Sequence, residues 1–325
     1  MTRYFYTLLC SGLAIFVLNS CEQVLEADIG SVENQLVMVS NFSADNQLEV
    51  VVTSTKIIAD NTDETKVVTN AIVRIYQGTN LLEELILKMP ALDSDFPPTY
   101  VSLDFVPEVG SVYTLTASAP GYESISASNI IPKGTAVGNI GFNNTLDIKN
   151  EELADVNFSI DLNFQDDPTE NNYYHILFYQ QLLGYRIDVK PNGDFDTIST
   201  QTSELAELDL QVLGNDIPFT RFLGEQSLLI KDDSFDGEEV NLTVEGNFSF
   251  NIEKHLLGNF SVEIRTVSEA YYLYYTTLSN QSQVDTGATG DSLPQDDVPV
   301  FDNVQGGTGI FAGYSSNTTF FIINP

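Results

Sequence analysis

Cys21 is the residue of this chain whose chemistry is easiest to name. It closes Leu18-Asn19-Ser20-Cys21, at the end of an apolar run from Tyr4 to Leu18 that only one charge, Arg3, precedes. Leu18 three positions before the cysteine and small Ser20 directly before it match a lipobox. There the thiol takes a diacylglycerol and signal peptidase II cuts ahead of it. The run is shorter than the about 20 apolar residues of a transmembrane helix. It suits the roughly 7–15-residue core of a signal peptide. The alternative is an ordinary secretory signal with a chance cysteine. Cys10 lies inside the signal, so the mature chain keeps Cys21 alone. That excludes an intrachain disulfide, and lipidation leaves no thiol for catalysis or metal binding.

Other chemistry is thin. The two histidines, His175 and His255, stand in no metal-ligand spacing, and there is no HExxH or cysteine cluster. His175 sits in a strand-like context and reads as structural in preference to catalytic. No GxSxG nucleophile elbow occurs. Gly306-Gly307-Thr308-Gly309 lacks the lysine of a P-loop and leads into a strand, so its glycines are expected to serve a turn. Asp233, Asp236 and Glu238 fall within one loop. They lack the full EF-hand pattern and read as a solvated turn in preference to a calcium loop. Carboxylates are numerous enough that paired-acid glycosidase chemistry stays open by count, although the chain has no tryptophan to stack on sugars. No catalytic residue, cofactor or metal is assigned.

The charge excludes one class of partner. The 325 residues carry 13 basic and 46 acidic side chains, a formal −33. Removal of residues 1–20 takes one base and no acid, leaving 12 against 46, or −34. Such a polyanion repels nucleic acid and anionic membrane surfaces. The 42% hydrophobic and 18% charged composition is that of a folded chain.

The elements expected to position any site are strands. Residues 21–34 form an acidic tether. Gln35–Ser40, Leu48–Thr53, Ala71–Tyr76, Leu81–Leu87, Val112–Ala117 and Ser124–Ala127 are strand-like, with turn residues between them. This pattern predicts an immunoglobulin-like or fibronectin-like β-sandwich over 35–132. Pro132 and Gly134 mark a boundary. A larger β-rich domain is expected over 133–325, with strands at Ala154–Phe164, Tyr173–Gln181, Gln226–Ile230, Val240–Glu245, Ser261–Thr266 and Thr318–Ile323. Phe195–Glu207 is ambiguous. One helix is predicted over 268–282, capped by Ser268 with Glu269 in its first turn. Tyr271, Tyr274, Tyr275 and Leu278 fall on one of its faces. That stripe reads as core-facing, with a tyrosine-lined ligand platform as the alternative. The fold class is therefore mainly β with one helix.

Several stretches together resemble a known family. They are Val112-Tyr113-Thr114-Leu115 with Gly121-Tyr122 and Ile130-Ile131-Pro132; Asp167-Pro168 with Asn172-Tyr173-Tyr174; Phe235-Asp236-Gly237; Ser268-Glu269-Ala270-Tyr271-Tyr272; and Asn303-Val304-Gln305 leading into Gly306–Tyr314. In this order they resemble the lipoproteins of Bacteroidota grouped as domain of unknown function 4249. The resemblance implies an outer-membrane lipoprotein, held by lipid at Cys21, from a family often encoded beside TonB-dependent receptors. It implies no known reaction or active site. Glu22, Glu26 and Asp28 loosely resemble the acidic surface-export signal of that phylum, which favours the cell surface over the periplasmic face. Asp196-Thr197-Ile198 and Asp291-Ser292-Leu293 fit its O-glycosylation pattern. The expected role is a non-enzymatic accessory or ligand-capture partner of a TonB-dependent receptor. The alternatives are a surface adhesion or structural module and an extracellular polymer hydrolase.

Overall fold

Alternation of apolar and polar residues over most of the chain produces strands. The computed structural model describes residues 34–55, 66–92, 94, 96–190, 192–214, 217–222, 226–285 and 299–323. The first half contains β1 (Leu36–Phe42), β2 (Glu49–Ser54), β3 (Ile72–Gln77), β4 (Asn80–Glu84), β5 (Ile86–Lys88), β6 (Thr99–Val101), β7 (Val112–Ser118) and β8 (Ile125–Ile130). Then follow β9 (Ala136–Val137), β10 (Gly141–Ile148), β11 (Leu153–Gln165), β12 (Tyr173–Val189), β13 (Phe195–Leu205), β14 (Asp209–Leu213), β15 (Phe219–Thr220) and β16 (Ser227–Lys231). A short 3-10 turn, Asp232–Ser234, precedes β17 (Glu239–Asn251), β18 (His255–Val267), the helix α1 (Glu269–Asp285) and β19 (Thr308–Ile322). The mainly β class, and the one α-helix among the described residues, agree with the sequence reading. Among the described residues no helix is long and apolar enough to cross a membrane.

The strands form three sheets. A ten-stranded sheet runs β15-β16-β12-β18-β19-β1-β2-β6-β5, with β13 added on β12. It is continuous across the two sequence halves, because β19 pairs parallel with β1 and antiparallel with β18. A four-stranded sheet, β4-β3-β7-β8, packs on one end of its inner face. Leu36, Met38, Val50, Ile75, Leu115 and Phe311 are fully buried there. The sheet β10-β11-β17-β14 covers the other end over Phe164, Tyr174, Phe178, Val244 and Phe260. Burying a side chain of this size contributes about 1.5–3 kcal/mol, so each sandwich core is held mainly by such residues.

The outer face of the large sheet carries α1. Ser268 caps the helix: its Oγ accepts from the Tyr271 N–H at 3.4 Å. Tyr271 is buried with Ile310 and Ala312 of β19, Tyr173 of β12 and Leu229 of β16, and Tyr274 and Tyr275 pack against this cluster. The tyrosine stripe therefore faces the sheet.

Several segments depart from the sequence reading; Leu81–Leu87, for one, divides into β4 and β5, which belong to different sheets. β10 lies where the sequence analysis places no strand. It forms an edge strand, paired on one side only. β12 extends eight residues beyond Gln181, through Gly184, because β13 pairs along that extension. The ambiguous Phe195–Glu207 stretch accordingly supplies a strand as far as Leu205. β19 begins ten residues before Thr318 and includes two glycines. Gly309 has φ +121°, and a Cβ there would lie 2.1 Å from the Met38 carbonyl oxygen. A Cβ at Gly313 would lie 2.1 Å from the Ile130 carbonyl. The Gly-rich run thus lets the last strand press against β1 and the end of β8. It is more than a turn.

Candidate functional site

The sequence motifs converge on structural joints. Asp166 directly follows β11 and is buried. Its Oδ1 accepts from the Tyr174 hydroxyl at 2.5 Å and its Oδ2 from the Gly237 N–H at 2.7 Å. Asp232 Oδ2 accepts from the Asn172 N–H at 2.5 Å. The Asn172 side-chain amide donates to the carbonyls of Asp167 and Glu170 at 2.8 and 2.9 Å. Gly237 adopts φ +71°, and a Cβ there would sit 2.7 Å from Pro168 Cβ. The separated Asp-Pro, Asn-Tyr-Tyr and Phe-Asp-Gly motifs therefore form one knot at the β11–β12 turn.

Carboxylate oxygens of Asp166, Asp232 and Asp236 lie within 4.8 Å of one another. Of the three acids picked from the sequence, only Asp236 joins this group. Asp233 pairs with Lys231 at 2.9 Å, and Glu238 is exposed. Sequence reasoning missed Asp166 and Asp232. Their signal is position: each follows a strand directly. Burial pushes the Asp232 carboxyl above its ordinary range, the Asn172 N–H opposes this, and Asp166 and Asp236 add to the rise. Burial, with Asp166 as partner, likewise raises the Tyr174 phenol. The hydrogen bonds account for both buried carboxylates as ties between loops.

A second polar group lies beneath α1. His175 is 1% exposed. Its Nδ1 meets the Tyr271 hydroxyl at 2.9 Å, and Nε2 has no hydrogen-bond partner among the described residues. Burial, aided by the Arg265 charge, lowers its pKa to about 3, so the ring is neutral. Arg265 also donates to the Tyr271 hydroxyl at 3.2 Å and to both carboxylate oxygens of Glu263 at 2.7 and 3.0 Å. Its guanidinium lies 4.5 Å from the Tyr314 ring centre. The expected structural role of His175 matches this packing. His255, at the start of β18, pairs with Glu204 at 2.6 Å.

A cavity lies on the same outer face, beside the helix. It is a groove of about 620 Å³. Val39, Val51 and Val101 form its floor, while Met89, Phe96 and Pro97 form a wall. Met89 and Phe96 are 63% and 80% exposed. Glu49 and Lys88 supply charge, and Asn41 marks the helix side, where its amide donates to the Tyr275 hydroxyl. Little in the sequence signals this groove. Its parts come from four separate strands and the β5–β6 connection.

Of the remaining predicted sites, Cys21 and Asp291-Ser292-Leu293 lie outside the described residues. Asp196-Thr197-Ile198 lies in β13, where Thr197 is paired with Asp188.

The model of the family described as "Domain of unknown function (DUF4249)" matches residues 22–319. The chain belongs to this DUF4249 family. No curated protein matches it. Among solved structures, the collagen adhesin (CNA) from S. aureus is 9% identical, over 89% of this chain and 94% of that one, with a TM-score of 0.17. The C-terminal domain of the Streptococcus agalactiae AgI/II polypeptide BspA is 7% identical, over 72% and 95%, with a TM-score of 0.15. The C-terminal domain of Streptococcus pyogenes AspA is 11% identical, over 72% and 94%, also at 0.15. Scores of this size define no common fold with the DUF4249 chain.

Proposed function

We propose that this DUF4249 protein is a non-enzymatic lipoprotein, anchored through Cys21 to the outer membrane on its surface face, that captures a ligand for a TonB-dependent receptor. The groove beside α1 carries this reading. It has an apolar floor and wall with a few polar groups at its margin, the usual make-up of a binding site. The lipobox supports the anchor, and the family resemblance supports the receptor.

Two experiments test it. Cys21→Ala should abolish incorporation of labelled palmitate and release the protein from membranes; persistent labelling refutes the anchor. A tagged chain, cross-linked in cells and purified from detergent-solubilised outer membrane, should bring down a receptor-type barrel. Met89→Asp with Phe96→Asp should reduce that recovery at least tenfold. Absence of any barrel, or recovery indifferent to the groove, removes the proposed role.

A further inference from the structure

A different surface lies on the same sheet face, where β12, β18 and β19 run on past α1. Register sets Tyr179, Ser261 and Phe320 in one row across these strands, with Asn259 opposite Ile322 in the next. Gln181 lies opposite Leu205 of β13 and donates to the Ser203 hydroxyl at 2.9 Å. Phe320, Ile322 and Leu205 are 64%, 73% and 61% exposed. An open depression of about 500 Å³ lies among these side chains.

Among the described residues, no acidic or basic side chain lines that depression, in a chain with 46 acids. The row between it and the helix network, Leu177–Glu263–Thr318, contains one carboxylate. Arg265 holds that carboxylate through two hydrogen bonds and neutralises it. The patch is thus electrically neutral as well as apolar.

We propose that this patch is a binding platform for neutral oligosaccharides, distinct from the groove. A pyranose ring has apolar C–H faces, a rim of hydroxyls and no charge. Phe320, Tyr179 and Leu205 offer apolar surface to such faces. Gln181, Asn259, Ser203 and Ser261 each donate and accept hydrogen bonds, as sugar hydroxyls do. Tyr179 and Phe320 stand two strands apart, about 10 Å, a separation that a disaccharide spans. Anionic polysaccharide is repelled by the acidic molecule as a whole. A cationic ligand finds no carboxylate in the depression. An open, shallow site buries little ligand surface, so each contact is weak and the lipid-anchored array supplies avidity.

The test displays the lipidated chain on neutral liposomes and presents neutral oligosaccharides (glucans, mannans, xylans and galactans) beside anionic ones. Binding to at least one neutral class is expected, with none to the anionic set. Phe320→Ala and Tyr179→Ala should each weaken it at least tenfold. Ser261→Asp should weaken it as strongly by adding one charge. Phe320 is exposed, so its alanine variant should keep the wild-type thermal midpoint. Phe96→Ser in the groove should leave glycan binding unchanged, which separates this result from the capture role. Three outcomes overturn the proposal: no neutral glycan bound, binding that survives both alanine variants, or patch variants that alter only receptor recovery. The last would make the patch a protein interface.

Discussion

The groove and the neutral patch are two bare stretches of one sheet face, separated by α1, and they are built differently. The groove owes its depth to the connection between β5 and β6, whose Met89, Phe96 and Pro97 rise beside the floor. The patch owes nothing to a loop wall. It exists because β12, β18 and β19 carry their in-and-out alternation past the helix, up to an irregularity between Gln180 and Leu182 in the β12–β18 pairing, with Phe178, Phe260 and Phe321 packed inward and Tyr179, Ser261 and Phe320 outward. Loop substitutions should therefore alter one site, whereas changes to register or to the sheet's joint should alter both. β19 is that joint, since its first half pairs with β1 and its second with β18.

The largest effect is expected where that joint is tightest. Gly309→Ala would force a Cβ against the Met38 carbonyl in a backbone region that L side chains rarely adopt. A cost of about 4 kcal/mol is expected, beyond an ordinary surface change. Urea unfolding should show the unfolding free energy falling by that amount, with groove and patch lost together. A change below about 1 kcal/mol would separate the two ends.

Acid should loosen the helix that divides the two sites. His175 has a pKa of about 3 when folded and about 6.5 when unfolded. Because the unfolded chain binds the proton more readily, stability is full above pH 6.5 and falls as pH drops toward 3. This group alone contributes on the order of 4 kcal/mol across that window. The raised Asp232 carboxyl acts in the opposite sense, losing stability as pH rises through its titration. Urea midpoints for wild type and His175→Gln at pH 7 and pH 4.5 separate them. The variant should lose much of the acid sensitivity, and an unchanged pH slope would remove His175 as its source.

Legibility followed the range of the interactions. Ser268, Glu269 and the tyrosine stripe announced α1 because capping and amphipathicity act within a few residues. Period-2 alternation announced β1, β7 and β11 for the same reason. Nothing local could announce the parallel pairing of β19 with β1, which joins residues about 270 positions apart. Gly309 and Gly313 looked like turn residues because close backbone approach and a turn favour the same residue. The acidic knot was half visible. Asp236 stood out in a loop of acids, while Asp166 and Asp232 are defined by partners across the fold. Both bare surfaces were invisible for that reason as well. Each is a set of side chains from strands that only the register brings together.

A smaller effect is expected at the helix–sheet contact. Tyr271→Phe removes the hydroxyl that meets His175 Nδ1 and receives the Arg265 N–H. It takes from Nδ1 of the buried imidazole its hydrogen-bond partner, at a cost of about 1–3 kcal/mol. Thermal unfolding with and without the variant measures it. The neutral patch should persist, since its own rows lie beyond the helix. A simultaneous loss of glycan binding would show that α1 organises the patch as well as the groove.

The smallest effect on stability is the most discriminating for function. Phe96 is 80% exposed on the groove wall, so Phe96→Ser should move stability by no more than about 0.5 kcal/mol. Its consequence should appear in recovery of the receptor-type barrel, and glycan binding on liposomes should stay at the wild-type level. Loss of both activities in a chain of unchanged stability would mean that one ligand or partner spans the helix from groove to patch. The two surfaces would then be halves of a single site, and the loop wall and the strand register would serve the same contact.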